Sequence, residues 1–145
     1  AALAVELAKQ LETKNCKVDL ELVEIGALLH DLGRSKTHTV DHAIVGAKIA
    51  ESLALPQPVI SIIKRHVGAG ITVHEAQWLG WPKDVYVPAT LEEKIVSYAD
   101  KLIDGSRKVP IDLTIKQLRM DQKSDAAERV RKLHEEITSL LRYEL

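Results

Sequence analysis

His30-Asp31, His42, His66 and Asp100 stand where the apolar periodicity around them calls for core residues, each at or near the end of a helical segment. Burying an ionised carboxylate or an unpaired imidazole costs several kcal/mol unless a partner or a metal compensates. One such position is unremarkable, but four on different helices ask for a common cause, and a shared metal site supplies one. Neutral imidazole nitrogen and carboxylate oxygen suit Fe, Mn, Ni, Co or Zn and not soft copper(I). Neighbours on a regular helix point about 100° apart, so His30 and Asp31 do not easily face one ion. A dinuclear site bridged by Asp31 at a helix end meets the geometry. The expected cofactor is therefore one or two divalent transition-metal ions.

The elements that have to position these groups read as helices throughout. Leu3, Leu7 and Leu11 recur every four residues from the first turn. No capping residue precedes them, and the helix is expected to begin upstream of Ala1. Asp19 caps a second helix with Leu22, Ile25 and Leu29 on one side, and Gly33 is expected to stop it. Asp41 opens a third, with His42, Val45, Gly46, Ile49 and Leu53 on one face. Pro56 and Pro58 lead into a fourth, whose Val59, Ile62 and Ile63 run on to His66. Thr72 caps a short helix through Trp78, and residues 80–90 read as a loop. Thr90 and Glu93 form a capping box for the helix bearing Leu91, Ile95, Tyr98, Leu102 and Asp100. Val130, Leu133, Ile137 and Leu140 mark a last helix over 126–143. No useful alternation of period two appears. The expectation is an all-α, compact bundle of about six or seven helices.

The blocks GALLHDLGR, DHAIVGAKIAESL, IIKRHVGAG and VSYADKLID, in that order, resemble the HD-domain superfamily of metal-dependent phosphohydrolases. The resemblance covers residues 1 to about 103. It implies a single HD domain over 1–145, with a motif-bearing core over 1–104 and a C-terminal helical region over 111–145. It makes His30 and Asp31 the defining pair, His42 and His66 the ligands of a second metal, Asp100 the closing carboxylate, and Asp31 the bridge and a catalytic group. The family's first His belongs to the opening helix and would fall about one turn before Ala1, so the domain is expected to be clipped there. In dinuclear members two ions about 3.5–4 Å apart activate a water for in-line attack on phosphorus.

Further roles follow from the same resemblance. Arg34 occupies a position where a guanidinium can bind a phosphate oxygen bidentately. His38, one turn before His42 if that helix is extended, is a candidate general acid. Lys101 and Arg107 are weaker phosphate-binding candidates. The implied function is hydrolysis of a phosphate ester or anhydride of a nucleotide-like small molecule. A diiron oxygenase and a non-catalytic nucleotide-binding module are the alternatives on the same ligand order.

Composition agrees and excludes other classes. Twenty Lys+Arg against twenty-one Asp+Glu in 145 residues give a net charge of -1, so no global field recruits a nucleic acid polymer or an anionic membrane. One Cys, Cys16, excludes a disulfide framework, and no apolar run approaches the roughly 20 residues of a membrane span. A cytoplasmic protein is expected. With no Phe, the core is built from aliphatic side chains. The C-terminal stripe is read as core, with a homodimer seam as its lesser use. Trp78 and Trp81 read as core or lid packing, and His74 and His134 as exposed residues without a role.

Overall fold

The computed structural model describes residues 1–104 and 107–142. Its elements, in chain order, are α1 (Ala2–Thr13), α2 (Leu20–Leu29), a 3-10 turn (Leu32–Ser35), α3 (His42–Ser52), α4 (Gln57–Arg65), a second 3-10 turn (Val67–Ala69), α5 (Val73–Leu79), α6 (Leu91–Lys101), a two-stranded antiparallel hairpin of β1 (Ile103–Asp104) and β2 (Arg107–Lys108), α7 (Ile111–Met120) and α8 (Ser124–Arg142). The fold is the expected all-α bundle. Among the described residues no helix is long and apolar enough to cross a membrane.

Helix α6 is the axis of the bundle, packed against α1, α2, α4 and α8. Its buried Ile95 and Val96 meet Leu7 and Leu11 of α1, Val23 of α2, and Val130 and Ile137 of α8 in the main core. Burial of each such aliphatic side chain contributes about 1.5–3 kcal/mol, which is how a chain without Phe holds together. A second cluster, Ala47, Ala50, Val59, Ile60 and Ile63, joins α3 to α4. A third gathers Ala43, Ile71, Ala76, Trp81 and Tyr86 under α5. Asp19 caps α2 by accepting the Leu22 amide, and Thr72 and Glu75 form a reciprocal capping box on α5.

Several expectations need correction. There are eight α-helices among the described residues, because the region 111–145 holds two. Pro110 precedes α7, and the turn through Gln122 separates it from α8, which starts at Ser124 rather than 126. The expected end of that helix at Tyr143 lies outside the described residues. Leu53 is 61% exposed; α3 buries His42, Ala43, Gly46, Ala47 and Ala50 instead, because small residues let it sit close to its neighbours. Thr90 caps α6 as expected, but Glu93 turns away to accept the Ala89 amide and the Arg65 guanidinium, both at 2.9 Å.

Gly33 does not stop α2. That helix ends at Leu29, and Gly33 is buried inside the following 3-10 turn. A Cβ there would lie 1.9 Å from the His42 carbonyl oxygen and 2.7 Å from the Gly46 nitrogen, and one on Gly46 would lie 3.0 Å from the Gly33 nitrogen. The two glycines let the turn after Asp31 press backbone to backbone on the start of α3. This contact brings Asp31 and His42 together.

Candidate metal centre

Three imidazoles converge, each oriented in the same way. His30 Nδ1 lies 2.6 Å from the Ala27 carbonyl, His42 Nδ1 2.8 Å from that of Thr39, and His66 Nδ1 2.7 Å from that of Ile63. A carbonyl oxygen can only accept, so each Nδ1 carries the hydrogen and each Nε2 is left facing the centre, the arrangement that a metal-binding imidazole adopts. His30 and His66 are the C-caps of α2 and α4, where carbonyls have no further helical partner, and His42 is the first residue of α3.

The carboxylates complete the cluster. Asp31 Oδ1 lies 3.3 Å from His42 Nε2 and 3.5 Å from His66 Nε2, while Oδ2 lies 3.3 Å from His30 Nε2. Asp100, on α6, places Oδ1 3.3 Å from His30 Nε2 and Oδ2 3.1 Å from Lys101 Nζ. Ligand atoms of His30, Asp31 and His66 all lie within 4.8 Å of one another, a spacing that can hold a metal ion. His42 and Asp100 extend the group on either side.

One contact tests whether a cation fits. His42 Nε2 and His66 Nε2 are 2.9 Å apart and both rings are buried. With each Nδ1 hydrogen committed to a carbonyl, the two neutral rings oppose lone pair to lone pair, a repulsion that a cation bound by both would remove. Two nitrogens that share one ion at about 2.0–2.1 Å each can lie no more than about 4 Å apart, and these are well within that reach. The donor set therefore fits a divalent ion, of a kind its nitrogen and oxygen donors do not specify.

Electrostatics point the same way. Burial pushes the His30 ring down, but hydrogen bonds to Asp100 and Asp31 outweigh it and lift its pKa to about 10. The three histidines hold Asp31 far below the usual carboxylate range. Burial alone would raise Asp100, but His30 and Lys101 bring it below the ordinary value. Burial keeps His66 below the ordinary histidine value. The protein has thus gathered ionised carboxylates and inward-facing imidazoles.

The centre opens into a cavity of about 700 Å³ bordered by His42, His66, Asp100, Arg34, His38 and Lys101 among others. Arg34 Nη1 donates to the His38 carbonyl at 2.6 Å, and its Nε lies 3.8 Å from Asp31 Oδ1. His38 is exposed on this rim, but α3 starts only at His42, so His38 is not one helical turn before it. Arg107 is exposed on β2 and does not line the cavity. The first turn of α1, through Ala1 and Ala4, borders a smaller cavity of about 380 Å³ with His30, Asp31 and Asp100.

Sequence reasoning missed one wall of the large cavity. The turn between α7 and α8 and the first turns of α8 contribute Gln122, Lys123, Ser124 and Arg129, whose polar character had no motif to mark it. It also missed the props. Asp41 Oδ1 accepts the Trp81 indole N–H at 2.7 Å, and Ser97 Oγ donates to the His66 carbonyl at 3.0 Å. Trp81 is buried as expected of core packing, whereas Trp78 is 85% exposed. His134 bonds the Tyr98 hydroxyl at 2.6 Å, away from the centre.

Comparison with known proteins gives a consistent picture. A family model described as "HD domain" matches residues 1–104. The chain is 46% identical over 141 residues to an uncharacterised protein of Methanocaldococcus jannaschii, covering 96% of this chain and 83% of that one. It is 47% identical over 122 residues to a tRNA (cytidine(56)-2'-O)-methyltransferase of Picrophilus torridus, covering 84% of this chain but only 36% of the methyltransferase. Its fold resembles the HD domain of the Listeria monocytogenes phosphodiesterase PgpH, solved in complex with cyclic-di-AMP. The TM-score is 0.54 at 19% identity, covering 95% of this chain and 86% of that domain.

Proposed function

The chain belongs to the HD-domain superfamily of metal-dependent phosphohydrolases, and from that premise we propose that it cleaves a phosphate ester or anhydride of a nucleotide-like small molecule, of the phosphodiesterase, cyclic phosphate or dinucleoside polyphosphate type. The observation that carries this reading is the convergence of three Nε2 atoms and two carboxylates in one cluster, of which His42, His66 and Asp100 line an open cavity. The cluster would hold one or two divalent ions, with His30 and Asp100 on one side, His42 and His66 on the other, and Asp31 between them. Such ions supply a Lewis acid for phosphoryl oxygens and lower the pKa of a water.

The chain's own groups divide the remaining work. Arg34, tied to Asp31 and to the His38 carbonyl, presents its guanidinium at the rim, where it binds a non-bridging phosphate oxygen. Lys101 balances Asp100 and offers a second cation to the same group. His38, exposed on the same rim, hands a proton to the departing oxygen. Asp31 sets its carboxylate among the Nε2 atoms of His30, His42 and His66. We assign the chemistry to the core over residues 1–104 and one wall of the substrate cavity to the region after it.

The test is hydrolysis of bis(p-nitrophenyl) phosphate, nucleotides and cyclic phosphates by protein loaded with manganese, nickel or cobalt. Phosphate-bond cleavage that disappears in Asp31→Ala is expected. Less than one equivalent of metal bound, or activity unchanged in Asp31→Ala, would overturn the reading. Oxygen uptake by the iron form without phosphate release would point to the oxygenase alternative.

A further inference from the structure

Trp78 presents 85% of its surface to solvent, an unusual position for the largest apolar side chain in a protein with so few aromatics. The helix that carries it is nevertheless held in place. Helix α5 is fixed at its start by Glu75, which pairs with Arg129 of α8 at 3.1 Å. Its far end is fixed by Gly80 in the left-handed region (φ 76°) and by the buried Trp81, whose indole N–H reaches Asp41, the residue before His42. The helix face left open by these anchors carries His74 and Trp78, one turn apart. Both border the cavity that ends at His42, His66 and Asp100.

We propose that Trp78 is a stacking platform for the nucleobase of the substrate. The inference rests on the phosphohydrolase reading and makes the substrate class specific: a phosphate compound carrying a planar heteroaromatic ring. An indole face pairs with any base, since every base has a π face, and such stacking requires no sequence-specific hydrogen bonds. The cavity is divided to suit a molecule of this kind. Its lining joins His42, His66 and Asp100 of the cluster and the cations Arg34 and Lys101 to Trp78 in the wall formed by α5. Gln122 and Ser124, from the turn at the start of α8, line the same cavity and offer donors and acceptors to ring heteroatoms. Its volume of about 700 Å³ falls in the range of small-ligand sites. A protein partner on this face would be served by a flat apolar patch, whereas Trp78 stands in the wall of a cavity leading to ionised groups.

The test compares binding of adenosine monophosphate and ribose phosphate by calorimetry, using the manganese-loaded protein, its Trp78→Ala variant and its Trp78→Phe variant. The wild type is expected to prefer the nucleotide by tenfold or more and to show quenching of indole fluorescence on binding it. Trp78→Ala should lose the preference while keeping its affinity for ribose phosphate, and Trp78→Phe should retain most of it. Equal binding of the two probes by the wild type, or an undiminished preference in Trp78→Ala, overturns the proposal. So does a change of oligomeric state in Trp78→Ala without any change in nucleotide binding. The hydrolase reading fails separately: a base preference without phosphate-bond cleavage leaves the platform standing, and cleavage without a base preference removes the platform alone.

Discussion

Metal binding at this centre should release one proton. In the metal-free protein His30, with a pKa near 10, is an imidazolium throughout the neutral range, while Asp31 and Asp100 are ionised and His66 is held towards its neutral form. An ion taking the Nε2 of His30 has to displace that proton. At pH 7 the proton is favoured by about three decades, roughly 4 kcal/mol, so apparent metal affinity should rise about tenfold per pH unit between about pH 6 and 9. Calorimetry with manganese in buffers of different ionisation enthalpy measures the number directly, and one proton per ion is expected. His30→Gln should bind more weakly and flatten the slope. A release of no protons, or a pH-independent affinity in the wild type, would refute the assignment of the proton to His30.

The same group sets two opposite stability profiles. His30 has a folded pKa above its ordinary 6.5. In the metal-free protein its contribution is therefore fully present below about pH 6.5 and is lost as pH rises towards about 10. In excess metal the stabilisation follows occupancy and rises with pH over the same window. Melting curves at several pH values, with and without manganese, should diverge. Parallel curves would contradict the linkage.

Asp31→Asn should lower metal affinity by at least about a hundredfold and remove hydrolysis, because a neutral amide offers one oxygen and no charge where the carboxylate sets both oxygens among three Nε2 atoms; metal content after dialysis and turnover check this. Gly33→Ala should destabilise by about 3 kcal/mol or more, beyond ordinary overpacking, because its Cβ meets backbone at 1.9 Å, and should weaken metal binding by separating Asp31 from His42; denaturant titration reads the first effect and calorimetry the second. Arg65→Met should cost about 3–5 kcal/mol by leaving the buried Glu93 carboxylate with only the Ala89 amide and its cap, with a Glu93→Gln second substitution recovering part of the loss.

What could be read from the chain divides along physical lines. The clustered histidines and aspartates were legible because ionisable side chains at core positions carry a cost that local patterning exposes, as at His42 and His66, buried at the starts and ends of apolar faces. The helices with strong stripes were legible for the same reason. Gly33 was misread because a glycine after a helix has two uses, a left-handed stop or a close backbone approach, and only the partner, His42 and Gly46, distinguishes them. Helix α7 was hidden by a weak stripe, with only Ile111 and Ile115 buried. The two tryptophans, three residues apart, look alike in sequence. Their different fates depend on Asp41, forty residues away, which takes one indole N–H and leaves the other ring to the cavity.

The way the imidazoles are aimed has a consequence for how this centre can vary. Metal-binding histidines are commonly oriented by a carboxylate, a water or a backbone carbonyl. Here all three use backbone carbonyls three residues earlier, two of them at the ends of α2 and α4. Such partners cannot be changed by substitution, so ring orientation is coupled to where the helices end. The packing that fixes those ends is then the effective outer layer of the site: Gly33 against α3, Ser97 on the His66 carbonyl, and Trp81 on Asp41. Substitutions at these positions should move metal affinity and stability together, whereas a change at Trp78, in the cavity wall, should move substrate binding alone.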